Sequence, residues 1–151
     1  MVDRTRDVRK VLCIEDEEDI GRLLAMIVGS IDGFEPIVTG DVDEAIRQLS
    51  DDLALVLIDV GLPDMDGYDL CRLIRQKGYR QPIIFVSAYA GKDDVRRGYE
   101  VGGNDYVCKP FDPDDLVAKI VKWTDAGEAG EASEAPEESE AGESARPTTV
   151  L

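Results

Sequence analysis

Acidic side chains follow two short apolar runs of the sequence, and their types and spacing suit the binding of a divalent cation. Glu15 and Asp16 come directly after Val11–Ile14, and Asp59 comes directly after Ala54–Ile58. If these runs are neighbouring strands of a parallel sheet, the three carboxylates meet at one edge. Their pKa values would then shift strongly unless a partner compensates the charge. Magnesium takes oxygen ligands and keeps several waters, so we expect a Mg²⁺ site here.

A hydroxyl and an ammonium group follow two further apolar runs. Ser87 comes after Ile83–Val86, and Lys109 comes after Tyr106–Cys108. Taken singly, Ser87 could be a loop hydroxyl or a helix cap, and Lys109 could be a surface lysine. Beside a metal ion they suit a phosphoryl group, because they would neutralise its oxygens while Asp59 acts as the nucleophile.

The acidic run EDEED also has a simpler explanation. Acidic side chains are favoured in the first turn of a helix by its dipole, which accounts for Glu17, Glu18 and Asp19. Asp16 could be the N-cap of the same helix. This explanation does not cover Glu15, which is still on the strand side of the junction.

Apolar runs alternate with segments of helical spacing over residues 8–124. A fifth run, Phe34–Val38, completes the strands. Apolar stripes at spacings of three and four residues predict helices; they are formed by Ile20, Leu23, Leu24, Ile27, Val28 and Ile31, by Leu70, Leu73 and Ile74, and by Leu116, Val117, Ile120 and Val121. Five strand–helix repeats imply an α/β fold, a five-stranded parallel sheet with helices on both faces. Its strand order, 2-1-3-4-5, is taken from analogy with flavodoxin-like doubly wound (βα)5 folds.

Residues typical of helix ends support three of the predicted helices, and an internal glycine weakens the prediction of a fourth. Asp41 and Glu44 have the spacing of a capping box. Asp112 followed by Pro113 predicts the start of the last helix, and Gly78 predicts the end of the third. The segment around residues 93–101 is a weaker helix, because Gly98 interrupts it and few of its residues are apolar.

Composition excludes several classes of function. The 151 residues include no histidine, which rules out Ser-His-Asp and Cys-His nucleophile pairs. A net charge of -16 disfavours nucleic acid and anionic membranes as partners, and it could also reflect a high-salt cytoplasm. We see no apolar stretch of signal or membrane-spanning length, so we expect a cytoplasmic protein. The three cysteines form no C-x-x-C pair, and we expect Cys13 and Cys108 to be core residues.

The composition changes at Asp125. Residues 125–151 consist mainly of Glu, Ala, Gly and Ser, and they cannot bury enough apolar surface to offset the entropy of ordering. We therefore expect a short N-terminal arm, residues 1–8, a folded domain, residues 9–124, and an acidic disordered tail, residues 125–151. The tail could be solubilising or could bind a partner.

Four motifs together resemble the receiver domain of two-component response regulators, the chemotaxis-regulator fold. They are CIEDEE after the first strand, LIDVGLPDMDG around Asp59, FVSA at Ser87 and DYVCKPF at Lys109. The resemblance covers residues 9–124. Each motif is weak alone, but the ordered set at successive strand ends is specific.

The resemblance implies a role for each residue at the sheet edge. Asp59 would be the phosphoacceptor, and Mg²⁺ would be held by Asp16, by Glu15 directly or through water, by Asp59 and by the backbone carbonyl of Gly61. Glu15 departs from the pair of aspartates that the family often has.

The resemblance also implies a switch. Ser87 would hydrogen-bond the phosphoryl group and Lys109 would pair with it. Tyr106 would be the switch aromatic, which turns inward as Ser87 moves toward the phosphate. The Lys109–Pro110 peptide bond would be cis.

The same resemblance implies the partners. The phosphoryl donor would be a phosphohistidine, which this chain cannot supply, so a sensor histidine kinase or a histidine phosphotransfer protein must. We expect a stand-alone receiver or phosphorelay intermediate that acts through an unknown protein target, binds no nucleic acid, does not insert into membranes, and is a monomer or weak dimer. It would not be an enzyme, apart from assisting its own phosphorylation and dephosphorylation.

Two other functions remain possible from the residues. An aspartyl-nucleophile phosphatase would need an acid two positions after Asp59, where Gly61 cannot transfer a proton. A flavodoxin-like cofactor binder would need a phosphate-cradling loop after the first strand, where the acidic run would repel a phosphate.

Overall fold

Strands and helices alternate along the chain in a computed structural model that describes residues 8–129, with side chains to Asp125. The elements are β1 (Arg9–Ile14), α1 (Glu18–Gly29), β2 (Phe34–Thr39), α2 (Val42–Gln48), β3 (Leu53–Asp59), α3 (Gly67–Gln76), β4 (Ile83–Ser87), α4 (Lys92–Glu100), β5 (Asp105–Cys108) and α5 (Pro113–Ala129). All five predicted strands and all five predicted helices are present.

The five strands form one parallel sheet in the order β2-β1-β3-β4-β5, which confirms the predicted fold class. The register sets the carboxyl ends side by side. Ile14 pairs with Ile58, so the residues that follow them, Glu15 and Asp59, leave the sheet at the same level. Ser87 pairs with Cys108, which places Lys109 one residue beyond the end of β5. The topology therefore gathers the predicted site residues at one edge.

Both faces of the sheet are buried, because nearly continuous apolar strands supply side chains alternately to each. Leu12, Ile58 and Phe85 belong to a core cluster with residues of α2 and α3. Cys13 and Leu57 belong to the opposite cluster, with residues of α1 and α5.

Helix α1 differs from its prediction in two details. Leu24, Ile27 and Val28 are buried as expected, but Leu23 is 36% exposed. The N-cap position is occupied by Glu17, one residue later than predicted, and its side chain makes no capping hydrogen bond. Asp16 is therefore not the N-cap residue, and it lies exposed in the β1–α1 loop.

The caps of two other helices are largely as predicted. Asp41 accepts a hydrogen bond from the backbone N–H of Glu44 at 3.2 Å, but the Glu44 carboxylate accepts from Arg47 and Gln48, so half of the capping box forms. Asp112 accepts from the N–H of Asp114 at 3.0 Å, and α5 begins at Pro113.

Helix α5 continues to Ala129, beyond the boundary predicted at residue 124. Arg9 forms an ion pair with Asp125 at 3.1 Å, which joins the start of β1 to this helix. The other residues of the predicted arm and tail, 1–7 and 130–151, lie outside the described residues. Within the described part of the chain, none of the helices has the length and apolar character needed to cross a membrane.

Gly98 allows α4 to lie close to the sheet. A β-carbon on Gly98 would be 3.0 Å from the Tyr106 ring and 3.1 Å from the Phe85 ring. The residue that weakened the sequence prediction of α4 therefore permits its packing.

Arg75 on α3 binds two loops at the amino edge of the sheet. All five of its N–H groups donate to carbonyl oxygens, those of Tyr79 at 2.9 Å, Gln81 at 2.7 Å, Gly102 at 3.0 and 2.8 Å, and the Asn104 side chain at 2.8 Å. Burial lowers the pKa of Arg75. The guanidinium thus fixes the carboxyl end of α4 relative to α3.

Of the two cysteines predicted to be core residues, Cys13 is buried as predicted and Cys108 is not. Cys13 and Cys71 are buried, whereas Cys108 is exposed. Cys108 is the last residue of β5, the outermost strand of the sheet, so its side chain is covered less than an apolar run suggests.

Candidate functional site

The three carboxylates predicted to converge do so at the carboxyl edge of the sheet. One carboxylate oxygen each from Glu15, Asp16 and Asp59 lie within 4.8 Å of one another. Glu15 and Asp59 are buried, and Asp16 is exposed. The cluster is open to solvent on the Asp16 side, where a partly desolvated cation could enter.

Lys109 supplies the positive charge that faces this cluster. Its Nζ lies 3.0 Å from Oε1 of Glu15, 3.5 Å from Oδ1 of Asp59 and 3.8 Å from Oε1 of Glu17. The side chain is 15% exposed. The Lys109–Pro110 peptide bond is cis, as predicted. Burial lowers the pKa of Lys109, but interaction with Glu15, Asp59 and Glu17 together outweighs it; the net direction of the pKa is upward, so the ammonium stays charged.

The two carboxylate oxygens of Glu15 have different partners. Oε2 accepts a hydrogen bond from the backbone N–H of Glu17 at 3.1 Å. Oε1 is buried and, among the described residues, accepts no hydrogen bond, although Lys109 is its ion-pair partner. Burial raises the pKa of Glu15 to about 7, and the charge of Asp59 adds to that rise, while Lys109 and the Glu17 N–H oppose it.

This arrangement fits a hard divalent cation. Three carboxylates face one ammonium, so part of their mutual repulsion is left without a compensating positive charge. Mg²⁺ accepts carboxylate oxygens and retains waters on an open side. The donor set of Glu15, Asp16 and Asp59, closed on one side and open on the other, matches these requirements.

The β3–α3 loop fixes the Asp59 side chain. Oδ1 of Asp59 accepts from the backbone N–H of Gly61 at 3.1 Å. The N–H of Gly67 donates to the carbonyl of Val60 at 2.8 Å, and a β-carbon on Gly67 would lie 2.5 Å from the carbonyl oxygen of Asp59. Gly67 is therefore required for α3 to start against the end of β3. The Gly61 carbonyl as a metal ligand stays a prediction.

The β2–α2 loop supports the other side of the cluster, which the sequence prediction missed. The N–H of Glu15 donates to the carbonyl of Thr39 at 2.9 Å. A β-carbon on Gly40 would lie 2.8 Å from the Cα of Asp16. A glycine directly after a strand was the available signal, because it permits the close approach of two backbones.

Ser87 and Tyr106 are joined through one loop residue. Ser87 is fully buried, and its Oγ accepts from the backbone N–H of Tyr89 at 2.9 Å. The Tyr106 hydroxyl donates to the carbonyl of Tyr89 at 2.6 Å. Tyr106 is 8% exposed and its ring centroid lies 5.9 Å from that of Phe85, so it faces inward. Burial raises the pKa of Tyr106.

Tyr68, the second residue of α3, is a further member of this group that the sequence prediction missed. Its hydroxyl lies 2.9 Å from that of Tyr106. The signal was an aromatic residue directly after the MDG turn, where the chain passes from the Asp59 loop into α3.

The cavities do not coincide fully with the site. A cavity of about 300 Å³ adjoins the cluster and is lined in part by Glu15, Asp16 and Gly40. A larger one, of about 560 Å³, lies at the opposite, amino edge, where Arg9, Leu53 and Trp123 are among the lining residues. We assign the site to the carboxyl edge, because the cation donors and the lysine converge there and not in the larger cavity.

Comparison with known proteins gives one family. The model of the response regulator receiver domain matches residues 11–121. The DNA-binding response regulator MtrA of Mycolicibacterium smegmatis is 36% identical over 115 residues, which cover 74% of this chain and 49% of that protein. The transcriptional regulatory protein YxdJ of Bacillus subtilis is 40% identical over 117 residues, covering 75% and 49%. This chain therefore spans about half the length of these relatives.

Solved structures give the same result. A CheY-like response regulator receiver domain protein from Methanospirillum hungatei superposes with a TM-score of 0.74 at 25% identity, over 81% of this chain and 98% of that one. The BeF3-activated N-terminal receiver domain of Klebsiella pneumoniae RstA gives 0.71 at 28% identity, over 77% and 98%. The sheet order, the edge that gathers the carboxylates and the lysine, and the matched residues lead to one conclusion: this chain belongs to the response regulator receiver domain family.

Proposed function

We propose that this receiver accepts a phosphoryl group on Asp59, with Mg²⁺ bound at the same edge, and that the modified state changes its contacts with a protein target. The observation that carries the proposal is the arrangement of Lys109 beside Asp59 and Glu15. A single ammonium, 3.5 Å from Asp59 Oδ1 and 3.0 Å from Glu15 Oε1, faces three carboxylates, so negative charge remains in excess and the site favours an incoming cation and a phosphoryl group.

The donor in this proposal is a phosphohistidine on a sensor histidine kinase or a histidine phosphotransfer protein, because the chain has no histidine of its own. A carboxylate oxygen of Asp59 attacks the phosphorus, the P–N bond to the donor imidazole breaks, and the imidazole takes up a proton as it leaves. The product is an aspartyl phosphate on this chain and a free histidine on the donor.

The chain's own residues prepare Asp59 for this step. The Gly61 N–H holds Oδ1 at 3.1 Å and limits rotation of the carboxylate. Lys109, 3.5 Å away, stabilises the negative charge that accumulates on the phosphoryl oxygens. Glu15, Asp16, Asp59 and the Gly61 carbonyl would hold the metal, which when bound neutralises charge on the transferring group.

The change of state would pass through Ser87. Its hydroxyl is now bound to the N–H of Tyr89, and a phosphoryl group on Asp59 would compete for it. Tyr89 also binds the Tyr106 hydroxyl through its carbonyl, so a shift of this loop changes the environment of the switch aromatic. An aspartyl phosphate adds charge and acceptor oxygens, which is sufficient to bias such a two-state element.

The output is proposed to be contact with another protein rather than turnover of a substrate. Gly61 supplies no acid two positions after Asp59, which disfavours a phosphatase. One relative is named as DNA-binding and another as a transcriptional regulator, and each extends over about twice the length matched here. The earlier expectation that the protein binds no nucleic acid therefore gains no support from these relatives.

The experiment is phosphorylation of the full chain by acetyl phosphate with Mg²⁺, followed by intact mass spectrometry. We expect one added phosphoryl group, loss of labelling with a chelator, and loss of labelling in Asp59→Asn. Asp64→Asn is the matched control, because Asp64 is an exposed carboxylate of the same loop and should not alter labelling. Labelling of Asp59→Asn at the wild-type level would reject Asp59 as the acceptor.

A further inference from the structure

Tyr68 is buried next to Tyr106 and contacts residues of several elements. The residue is 3% exposed. Its ring centroid lies 5.3 Å from that of Phe85, and the Arg97 guanidinium of α4 sits 4.7 Å above the ring. Its backbone N–H donates to Asp66 at 2.7 Å, directly after the loop that holds Asp59. Tyr68 therefore connects the start of α3 to α4 and β4.

The hydroxyls of Tyr68 and Tyr106 make three polar contacts but have only two protons to donate. It lies 2.9 Å from the Tyr106 hydroxyl and 3.0 Å from the carbonyl oxygen of Asp94, while the Tyr106 hydroxyl lies 2.6 Å from the carbonyl of Tyr89. A phenol carries one proton, so two phenols can donate two hydrogen bonds, not three. One of the three contacts must therefore lack a proton at any instant.

The geometry favours one distribution of the two protons. The shortest contact is that from Tyr106 to the Tyr89 carbonyl, at 2.6 Å, so Tyr106 donates there. Asp94 lies in the first turn of α4, where its carbonyl has a helical N–H four residues later as an alternative partner. The proton of Tyr68 therefore goes to Tyr106, and the phenols form a chain in which each hydrogen bond polarises the next.

We propose that Tyr68 is a positioning residue for the switch: its hydroxyl donates to Tyr106 and holds that side chain inward against the β4–α4 loop. The inference rests on the proposed function, in which Ser87 and Tyr106 report the state of Asp59. The contact of Tyr68 with the Tyr106 hydroxyl is separate from that of the Tyr89 carbonyl, so Tyr68 stabilises the inward orientation whether or not Asp59 is modified. It thereby sets the ratio of inward to outward states from which phosphorylation starts.

The test is Tyr68→Phe, which keeps the ring against Phe85 and Arg97 and removes the hydroxyl. NMR of the full chain with labelled tyrosine measures the inward-to-outward ratio of Tyr106 from its contacts with Phe85 and Gly98. We expect that ratio to fall on the order of two- to tenfold, the factor that one net hydrogen bond supplies. The apparent affinity for beryllofluoride with Mg²⁺ should weaken by no more than the same factor.

Two further variants separate a positioning role from a structural one. Tyr79→Phe removes another buried phenol, whose hydroxyl contacts the Leu53 carbonyl at 3.5 Å, and it should leave the Tyr106 ratio unchanged. In a Tyr106→Phe background, Tyr68→Phe should have no added effect on beryllofluoride affinity. An unchanged Tyr106 ratio in Tyr68→Phe, or an equal change in Tyr79→Phe, would overturn the proposal.

The proposed function can fail independently. If the wild-type chain neither bound beryllofluoride nor accepted a phosphoryl group, the function would be rejected. The Tyr106 ratio in the untreated chain would still test whether the Tyr68 hydroxyl holds the side chain inward.

Discussion

Lys109 lies closer to Glu15 than to the predicted acceptor Asp59: the distances from Nζ are 3.0 Å to Glu15 Oε1 and 3.5 Å to Asp59 Oδ1. The Glu15 side chain is fully buried, whereas that of Asp59 retains 8% exposure. In the state described, the lysine therefore chiefly compensates Glu15. A cation bound at Glu15 would release Lys109 toward a group on Asp59.

This relationship predicts a stability loss that depends on metal. Lys109→Gln leaves Glu15 buried without its cation, and breaking such a pair costs about 3 kcal/mol. We expect the free energy of unfolding in urea to fall by that order with a chelator present, and by clearly less with millimolar Mg²⁺. Lys119→Gln is the control, because Lys119 pairs with Asp105 at 3.5 Å in a more exposed ion pair and should cost less than about 1 kcal/mol. Equal losses with and without Mg²⁺ would contradict the cation site.

A second prediction concerns the contact between β3 and α3. A β-carbon at position 67 would lie 2.5 Å from the Asp59 carbonyl oxygen and 2.6 Å from the Cα of Val60, so Gly67→Ala must displace backbone. We expect a loss of about 2 kcal/mol in urea unfolding, together with weaker phosphorylation. Gly29→Ala is the control: nothing lies within 4 Å of its β-carbon at the end of α1, and the change should stabilise the protein by about 0.5 kcal/mol. Similar effects at both glycines would argue against the close contact.

A third prediction follows from the exposure of the cysteines. Cys108 is exposed while Cys13 and Cys71 are buried, so a thiol reagent should modify one cysteine quickly in the folded protein and all three in denaturant. Cys108→Ala should remove the fast reaction. Fast modification of two thiols in the folded state would contradict the burial of Cys71 or Cys13.

A fourth prediction concerns alkaline pH. Burial raises the pKa of the Cys71 thiol to about 11 from an ordinary value of 9.0. A pKa raised by folding means that the protonated thiol contributes stability that is complete below pH 9.0 and is lost as the pH rises through 11. Deprotonation of this one thiol lowers the free energy of unfolding by at most about 1.4 kcal/mol per pH unit.

The measurement compares wild-type and Cys71→Ala unfolding between pH 7 and pH 11. The variant should be less stable at neutral pH, because a buried side chain is shortened, but its stability should fall less steeply above pH 9.0. Parallel curves over that interval would show that the Cys71 thiol does not titrate as described.

The strands were predictable because their signal is local. A run such as Leu55–Ile58 is apolar throughout, which is typical of a strand buried on both faces, and the polar residue after each run marks its carboxyl end. Once parallel neighbours are assumed, the meeting of Glu15, Asp16 and Asp59 follows from geometry alone. The strand order itself came from analogy, because local patterns do not determine which strands are adjacent.

The missed features depend on contacts between distant segments. The apolar residue Leu23 lies on the helical stripe, yet it is 36% exposed, and the apolar run before Lys109 does not reveal that β5 is an edge strand. Tyr68 and Gly40 act through partners on other elements, Tyr106 and Asp16, whose proximity appears only after folding. The periodicity of a sequence predicts whether a segment is a helix or a strand, but it does not predict how deeply each side chain is buried.

Helix α4 is attached unequally at its two ends. At its carboxyl end, the guanidinium of Arg75 donates twice to the Gly102 carbonyl. Breaking these bonds would leave a half-buried charge without hydrogen-bond partners there. At its amino end, the Asp94 carbonyl contacts α3 through a neutral group, the Tyr68 hydroxyl 3.0 Å away. Arg97, whose guanidinium lies above the Tyr68 ring, belongs to the last turn of α4. We therefore expect any displacement of α4 to be a rotation about its last turn. A partner protein that distinguishes the unmodified from the phosphorylated state would do so best by contacting the first turn, around Lys92, because that turn would be displaced furthest.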